Sequence, residues 1–455
     1  MMAEVQTVAV IDIGKTNLKL ALVDLARGEE IAVETAPNRV RSGPPWPHFD
    51  TGAQWDFLSA AMARLAARHR IDGIAVTTHG ACAALLDADG DLAAPVMDYE
   101  FTGPDSLRAE YDHIRPPFAE TGSPALPMGL NLGAQLHYAL HTDPDLAARI
   151  THVLTWPQYW GFRLTGQVAC DLSSLGCHTD LWNPLARDWS SLPAALGLAG
   201  KMAPARRPDA VLGSLTPALQ AAWGLGPVPV VVGIHDSNAS LLPHLKGREA
   251  PFAVVSTGTW VICMAIGGAS VTLDPSRDTL INVDTYGNSV PSSRFMGGRE
   301  NEILRAGSAA EGSPADAAEV LDKGIMHLPA VVQDSGPFPG RSHRWTTRPQ
   351  TEGQGAVAVG YYLGLMTGEC LRLIGAAGPI LVEGPFSGNR WFLAMLASAT
   401  GRVVIPSAAR TGTALGAALL FAMPSAPPQK EGPISPDPRL KGYAMAWQAI
   451  VRRMS

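Results

Sequence analysis

The sequence has no strong excess of charge of either sign, and it contains no run of Lys or Arg residues. Its formal net charge is only −6 at pH 7, which argues against nucleic acid or a membrane surface as the main partner. Long apolar runs are also lacking. The apolar stretches are interrupted by Ser, Thr, Gly and Pro, so they are too short to span a bilayer. Any small anion must therefore be held by local dipoles and individual side chains.

Cysteine is scarce, and no pair has the CxxC spacing of a redox or zinc motif. The five cysteines are Cys82, Cys170, Cys177, Cys263 and Cys370. We expect them to be small buried residues in a reducing compartment. The first residues, MMAEVQTVAV, have neither the charged region nor the cleavage site of a signal peptide. We therefore expect a cytoplasmic location.

A chain of 455 residues is too long for one hydrophobic core, and this predicts two large domains. We place them at residues 1–235 and 236–455. Hydrophobic residues make up 46% of the chain and charged residues 17%, as in an ordinary globular protein. The sequence leaves the oligomeric state open, with a homodimer among the candidates.

The central stretch of the chain combines a base with a phosphate-binding turn. A predicted strand, Val228–Gly233, leads to His235 and Asp236, and a carboxylate at the end of a strand can accept a proton. A second predicted strand breaks at the turn that contains Thr257, Gly258 and Thr259, whose N–H groups and hydroxyls suit phosphate. A base beside a phosphate loop is what the phosphorylation of an alcohol requires.

The N-terminal segment predicts a second phosphate-binding turn. Two β-rich runs, Val8–Ile11 and Leu18–Val23, flank a polar turn with Gly14 at its tip. Asp12, at the end of the first run, is placed to bind a divalent cation through water. The other polar turn residues that could contact phosphate are Lys15, Thr16 and Asn17. A plain surface hairpin would show the same residues.

The second half of the chain begins like the first. Residues 9–22 (AVIDIGKTNLKLAL) and 253–266 (AVVSTGTWVICMAI) share the order of strand, polar glycine turn and strand. This pattern indicates an internal duplication. Two such hairpins could hold one nucleotide from opposite sides.

Two further strand ends in the first half carry polar groups that suit a small polyol. The predicted strand Ile71–Thr78 leads into His79 and Gly80, and a predicted strand over Ala94–Glu100 ends with Asp98 and Tyr99. Ordinary loop polarity is the alternative, and for Glu100 we prefer it.

Near the C-terminus, a strand over Pro379–Val382, a turn over Glu383–Asn389 and a helix over Arg390–Thr400 could shape an adenine or ribose pocket. Gly384 and Asn389 are the candidate contacts there. A simple strand-to-helix loop would look similar. The small residues of Thr411–Met423 predict a closely packed helix.

Taken together and in order, these motifs resemble those of the FGGY carbohydrate kinases over nearly the whole chain. The segments DIGKTNLK and STGTW resemble the two phosphate loops, HDSNAS resembles the loop of the catalytic aspartate, and EGPFSGN followed by TGTALGAAL resembles the adenosine region. Within the family, His235-Asp236 and Gly258-Thr259-Trp260 are most similar to the corresponding residues of rhamnulokinases and L-fuculose kinases. Two departures are Lys15, where many relatives have Thr, and His79, where they have Trp.

The resemblance implies an α/β fold of two actin-like (ribonuclease H-like) domains with a cleft between them. It implies an ATP- and Mg²⁺-dependent enzyme that phosphorylates a ketose hydroxyl. O1 of a 6-deoxy-ketohexose such as L-rhamnulose or L-fuculose is the expected acceptor. Asp236 would be the base, His235 and Gly80 would contact the sugar, and Thr259 would contact ATP. The alternatives are a pentulose or polyol kinase of the same fold and a sugar-binding regulator without catalysis.

Overall fold

The structure, a computed structural model, describes residues 5–407, 412–422 and 432–454. Contacts between Cα atoms divide the chain into two compact units. The first unit comprises Met1–Gly247, Ile281–Ser289 and Thr411–Ala426, and the second comprises Arg248–Leu280, Val290–Arg410 and Pro427–Ser455. The main division therefore falls after Gly247 rather than after residue 235. The reason is that the helix beginning at Asp236 packs its Ala239 and Leu242 into a core of the first unit.

The first unit is built on a mixed sheet. Its strands are Thr7–Ile13 (β1), Asn17–Asp24 (β2), Glu29–Pro37 (β3), Gly73–Thr78 (β4), Val211–Ser214 (β5), Pro229–Val231 (β6) and Ile234–His235 (β7). The strand order is β5-β6-β4-β1-β2-β3, and β7 also pairs with β4. β1 runs antiparallel to β2 and parallel to β4, so the carboxyl ends of β1 and β4 meet at one edge.

Both faces of β1 are covered, which explains its nearly continuous apolar sequence. Val8 and Val10 pack into one core, whereas Ala9, Ile11 and Ile13 pack into another on the opposite face. Asp12 interrupts this run, and it does so at the carboxyl end of the strand. The packing of the two cores does not require a polar residue at position 12.

The second large sheet, most of whose residues belong to the second unit, repeats the arrangement of the first. Its strands are Phe252–Thr257 (β8), Val261–Ile266 (β9), Thr279–Val283 (β10), Ser289–Phe295 (β11), Ile380–Glu383 (β12) and Val404–Pro406 (β13). The order is β10-β11-β9-β8-β12-β13. β8 is antiparallel to β9 and parallel to β12, as β1 is to β2 and β4. This shared topology agrees with the internal repeat predicted from the two hairpins.

In the described part of the chain, the longest helix lies in the second unit. The helices of at least six residues are Thr51–Ala66, Arg108–Ile114, Leu132–Thr142, Trp156–Thr165, Pro217–Trp223, Asp236–Leu245, Gly297–Arg305, Pro314–Asp322, Glu352–Leu373, Arg390–Thr400, Thr413–Ala418 and Pro438–Arg453. The 22-residue helix Glu352–Leu373 is buried along most of its length. Among the helices of the described residues, none is long and apolar enough to cross a membrane.

Several sequence predictions change in detail. The strand expected over Ala94–Glu100 is wrong, because the strand here is Leu92–Ala94. Pro95 follows it, and the Asp98 carboxylate accepts the Glu100 N–H (3.1 Å) to make a turn. The strand expected over Val228–Gly233 is split by Gly233, whose φ is +96°.

All five cysteines lie in the described part of the chain, are buried and form no disulfide. Of the helix expected over 411–423, the structure describes residues 412–422, which form a helix over Thr413–Ala418 and a 3₁₀ turn over Leu419–Phe421. Thr411 and Met423 lie outside the described residues.

Candidate active site

Three adjacent strands of the first unit end at the same edge of the sheet. In the parallel register of β1, β4 and β7, Asp12 pairs with Thr77, and His235 pairs with Thr78. The N–H of His79 continues the ladder to Ile13 O (3.0 Å). The structure therefore brings together the polar residues at these ends, which the sequence separates by more than 200 positions. The crevice outside the carboxyl ends of parallel strands is where ligands bind in open α/β sheets.

Asp236 begins the helix Asp236–Leu245 directly after β7. Its carboxylate accepts the Ser237 N–H (2.6 Å), and 35% of its side chain is exposed. Burial of the carboxyl group among its neighbours raises the pKa of Asp236 above the ordinary aspartate value. A partly desolvated carboxylate that still opens to solvent can accept a proton from a bound hydroxyl.

His235 is held as a neutral ring beside this carboxylate. Its Nε2 lies 3.4 Å from Asp236 Oδ1, and its Nδ1 lies 2.6 Å from Ser237 Oγ. Burial lowers the pKa of His235 to about 4. At neutral pH the ring is uncharged, so it can orient a hydroxyl near Asp236 without forming a strong ion pair with the base.

Gly80 is glycine because the His235 ring occupies the place of a side chain. A Cβ atom built on Gly80 would lie 2.5 Å from His235 Nε2 and 2.8 Å from its Cδ2. No side chain fits at such distances. The predicted sugar-binding residues Gly80 and His235 are thus in direct contact, and Gly80 lets the ring approach the backbone.

His79 is 6% exposed and forms the adjacent part of the wall. Its Nδ1 contacts Gly80 O (2.9 Å), and its ring lies 5.1 Å from the Phe49 ring and 5.3 Å from the Tyr99 ring. Burial lowers the pKa of His79, which keeps it neutral. Sequence reasoning missed Phe49, an aromatic residue in a two-residue strand with no motif of its own.

Lys15 points toward this wall. Its ammonium group donates to Asp98 Oδ1 and lies 3.2 Å from Glu100 Oε2. It also lies over the Tyr99 ring, at 4.8 Å from the ring centre, and 5.4 Å from that of Phe49. The structure thus joins Lys15, predicted to contact phosphate, to Asp98 and Tyr99, predicted to contact sugar.

The hairpin tip itself is closed by backbone hydrogen bonds. The Gly14 N–H donates to Asn17 O (2.9 Å) and the Asn38 N–H to Thr16 O (2.8 Å), and the Asn38 side-chain amide donates to Gly14 O (2.8 Å). The side chains of Thr16 and Asn17 are exposed. Their predicted contact with nucleotide stays a prediction.

Asp12 has the environment of a weak cation ligand. Burial raises its pKa, the nearby Asp236 adds to this effect, and the Thr413 hydroxyl donates to its Oδ2. The buried Thr77 hydroxyl, opposite Asp12 in the register, has no hydrogen-bond partner in the described structure. Within residues 5–407, 412–422 and 432–454, no three His, Cys, Asp or Glu side chains group to hold a metal. This donor set fits Mg²⁺ held through water and phosphate rather than in a protein cage.

The sequence analysis did not identify Asp171 and Ser173, two residues that position the backbone beside Asp236. Asp171 is fully buried at the start of the short helix Leu172–Leu175, and burial raises its pKa. The Ser173 hydroxyl donates to Asp171 Oδ1 and accepts the His235 N–H (3.0 Å). This chain fixes the backbone just before Asp236. The polar sequence of residues 171–180 predicts only a loop. The positioning role of Asp171 and Ser173 follows from their contacts in the structure.

In the second unit, the structure joins two of the predicted nucleotide-binding segments. The Thr257 hydroxyl donates to Glu383 O (2.5 Å) and accepts the Phe386 N–H (3.0 Å). Gly384 has φ +81°, and a Cβ atom there would lie 2.0 Å from Thr257 O. The turn after β8 and the loop after β12 are therefore one packed element. Only glycine permits this approach.

The β8–β9 turn resembles the hairpin of the first unit in its hydrogen bonding. The Gly258 N–H donates to Trp260 O (2.9 Å), as Gly14 does to Asn17. Thr259 O accepts the Gly298 N–H (3.1 Å), which fixes the turn to the following helix. The side chain of Thr259 is exposed.

A cavity of about 520 Å³ lies beside the loop after β12. It is lined by Asn301, Arg305, Ser308, Ala309, Ala310, Glu311, Gly312, Ala356, Pro385, Gly388, Asn389, Arg390 and Trp391. The Asn389 side-chain oxygen caps the following helix by accepting the N–H groups of Trp391 and Phe392 (3.1 Å each). A ligand contact from Asn389 would therefore use its amide nitrogen. The size of the cavity suits a nucleoside.

Fold and site thus define a two-unit protein of the actin-like kinase type, in which each sheet presents a hairpin turn. Family models for the FGGY family of carbohydrate kinases match this chain twice. The N-terminal domain model matches residues 7–243, and the model described as carbohydrate kinase FGGY, C-terminal domain, matches residues 249–430. The chain belongs to the FGGY family of carbohydrate kinases.

Individual relatives agree with this assignment. A solved structure of a carbohydrate kinase from Novosphingobium aromaticivorans is 37% identical, with a TM-score of 0.91 and 99% of both chains covered. Xylulose kinase of Escherichia coli is 29% identical over 56% of this chain, and L-fuculokinase of Haemophilus influenzae is 26% identical over 56%. The match spans only 53% and 57% of those two proteins, about half of their length.

Proposed function

We propose that this protein is an ATP-dependent sugar kinase that phosphorylates a hydroxyl group of a ketose. The observation that carries the proposal is the placement of Asp236. It lies at the end of β7, beside the neutral His235 ring and in the electrostatic field of Asp12. A carboxylate with a raised pKa, next to hydrogen-bonding groups for a sugar, is suited to take a hydroxyl proton.

In the proposed reaction, the sugar hydroxyl gives its proton to the Asp236 carboxylate. The oxygen forms a bond to the γ-phosphorus of ATP, and the bond between that phosphorus and the β,γ-bridging oxygen breaks to release ADP. His235, Gly80 and His79 would orient the sugar. Asp12 would hold a magnesium ion through water, and this ion would neutralise phosphate charge when bound.

For the nucleotide, we propose the turns and the cavity that the sequence analysis selected. Gly14, Thr16 and Asn17 in the first unit and Thr257, Gly258 and Thr259 in the second would contact phosphates. Asn389, which lines the 520 Å³ cavity, and Gly384, which precedes the lining residue Pro385, would contact adenosine. The packing of Thr257 against Gly384 and Phe386 supports a common role for the second-unit residues.

The acceptor is proposed to be O1 of a 6-deoxy-ketohexose such as L-rhamnulose or L-fuculose. The presence of an L-fuculokinase among the relatives supports this choice. A pentulose is the second candidate, because a xylulose kinase is also among the relatives.

The test is ADP release by the purified full chain with L-rhamnulose, L-fuculose, D-xylulose and glycerol. We expect one ketose to stimulate ADP release far above the rate without sugar. In the Asp236→Asn variant, kcat should fall by ~10²–10⁴-fold, the usual contribution of general acid–base catalysis. ATP affinity should remain unchanged.

Asp56→Asn is the matched control, since Asp56 is an exposed residue of the helix Thr51–Ala66. It should keep the wild-type rate. Wild-type turnover in Asp236→Asn, or no sugar that stimulates ADP release, would refute the proposed function.

A further inference from the structure

We propose that Lys15 determines sugar specificity: its ammonium group and the Asp98 carboxylate together bind neighbouring hydroxyls of an uncharged substrate, rather than phosphate. This inference rests on the proposed kinase function and names the chemistry of its acceptor. It assigns Lys15 a role that differs from the phosphate contact expected from its place in the hairpin.

The first argument is that the Lys15 ammonium group already has interaction partners. Its side chain is only 20% exposed, and its ammonium group is shared between Asp98 and Glu100. The faces of Tyr99 and Phe49 add a cation–π environment, with ring centres at 4.8 and 5.4 Å. To contact a phosphate, Lys15 would have to leave two carboxylates and an aromatic pair. Asp98, 7% exposed, would then remain as a buried and unpaired charge.

The second argument is the position of this ion pair relative to the base. Phe49 and Tyr99, which flank Lys15, are also the two rings that contact His79. Burial raises the pKa of Tyr99, and the charges of both Asp98 and Asp236 contribute, so both carboxylates lie near this side chain. Lys15 and Asp98 thus belong to the same wall as His79 and Gly80. This is the wall that faces the proposed acceptor.

The third argument is hydrogen-bonding chemistry. A carboxylate only accepts hydrogen bonds and an ammonium group only donates them, whereas a hydroxyl does both. Two adjacent hydroxyls can therefore bridge Lys15 and Asp98, one donating to the carboxylate and the other accepting from the ammonium. Such a pair recognises a polyol by the position of its hydroxyls.

The fourth argument is the charge balance. Four carboxylates lie on or beside the wall, namely Asp12, Asp98, Glu100 and Asp236, whereas Lys15 is already paired. His79 and His235 are neutral because burial lowers the pKa of each. A sugar acid would bring a further negative charge into this field. The site should therefore select a neutral ketose or polyol over an aldonate such as gluconate.

The experiment separates sugar binding from nucleotide binding. Calorimetry with the full chain measures sugar affinity without nucleotide, and ATP affinity without sugar. Lys15→Met removes the charge but keeps most of the side-chain length. We expect it to weaken binding of the preferred neutral sugar at least tenfold, while ATP affinity changes less than twofold. Lys15→Arg, which keeps the charge, should recover part of the sugar affinity.

Lys323→Met is the matched control, because Lys323 forms a surface ion pair with Glu319 (2.7 Å) in the other unit. It should change neither affinity. If a thermal melt shows that Lys15→Met is poorly folded, Asp98→Asn takes its place. This variant must also lose sugar affinity while its ATP affinity stays unchanged. A tenfold loss of ATP affinity with unchanged sugar binding would overturn the proposal, as would equal losses of both or no loss of either.

The same measurements keep this proposal distinct from the proposed function. A wild-type chain that binds neutral sugars but transfers no phosphoryl group would refute the kinase function and leave the Lys15 test intact. A wild-type chain that binds gluconate as tightly as the neutral sugars would overturn the selection by charge.

Discussion

The contact between Gly80 and His235 allows the effect of one added methyl group to be worked out. In Gly80→Ala, the new Cβ would lie 2.5 Å from His235 Nε2, about 1 Å less than an ordinary contact distance. The His235 ring would have to retreat by about this amount. It is held on its other side by Ser237 Oγ at 2.6 Å and is only 6% exposed, so it has little room to move.

Two consequences follow for the Gly80→Ala variant. Overpacking in a buried site typically costs ~1–3 kcal/mol of folding free energy, so the melting temperature should fall by several degrees. A displacement of ~1 Å of a group that positions a substrate can reduce the rate by ~10²-fold, equivalent to ~2.7 kcal/mol in activation free energy. We therefore expect kcat/KM for the sugar to fall by ~10²-fold, whereas ATP affinity stays near the wild-type value.

The assay is ADP release with the preferred sugar, combined with a thermal melt. Gly200→Ala is the control, because a Cβ at Gly200, in the same unit, would meet no atom within 4 Å. It should match the wild type in both measurements. A Gly80→Ala variant with wild-type kcat/KM and melting temperature would refute the argument that the ring requires glycine at this position.

Two further effects follow from the same geometry. Because burial raises the pKa of Asp236, the acid limb of the pH profile of kcat/KM should have its midpoint above the ordinary aspartate value of 3.8. The cost of ionising this carboxyl group in the folded state is absent below the ordinary pKa of 3.8, grows as the pH rises toward the raised pKa and is complete above it, so Asp236→Asn should raise the melting temperature at pH 8 more than at pH 4. In the second unit, Gly384→Ala should lower stability by ~1–3 kcal/mol and weaken ATP binding, since its Cβ would lie 2.0 Å from Thr257 O. Gly442→Ala, in the helix Pro438–Arg453, is its control, because a Cβ at Gly442 would meet no atom within 4 Å. Thermal melts measure the changes in stability, and calorimetric titration measures the affinity for ATP. Equal stability and equal ATP affinity of the two glycine variants would contradict the argument that the close approach to Thr257 requires glycine at position 384.

The motifs of this chain indicate the candidate site residues more clearly than the pattern of its secondary structure does. Asp12, His79 and Asp236 each follow a strongly apolar run, and a polar residue in such a place is visible in the sequence. Their convergence also follows from parallel pairing, which the register of β1, β4 and β7 confirms. The segment around Asp98 was harder to predict. The apolar residues before it resemble a strand, yet Pro95 and the Asp98 side chain make a turn.

The partners of these residues could not be predicted from the sequence. Thr413 donates to Asp12 across 401 positions, and Ser173 binds the backbone of His235 across 62. Thr413 belongs to the TGTALGAAL segment, which predicts a packed helix and not a contact with Asp12, and Ser173 belongs to no motif. Their side chains are small and common in loops, so nothing in the local sequence distinguishes them from surface residues.

The sequence by itself determined which strand ends carry polar groups, because an apolar run that stops at Asp, His, Gly or Thr can be recognised from one segment alone. It also determined the repeated hairpin, since alternation and turn residues are local properties. The tertiary structure alone decided which groups face one another: Lys15 with Asp98, Gly80 with His235, and Thr257 with Gly384. The physical reason is that such contacts depend on distances of a few ångströms between distant segments, which only the packing of the whole unit sets.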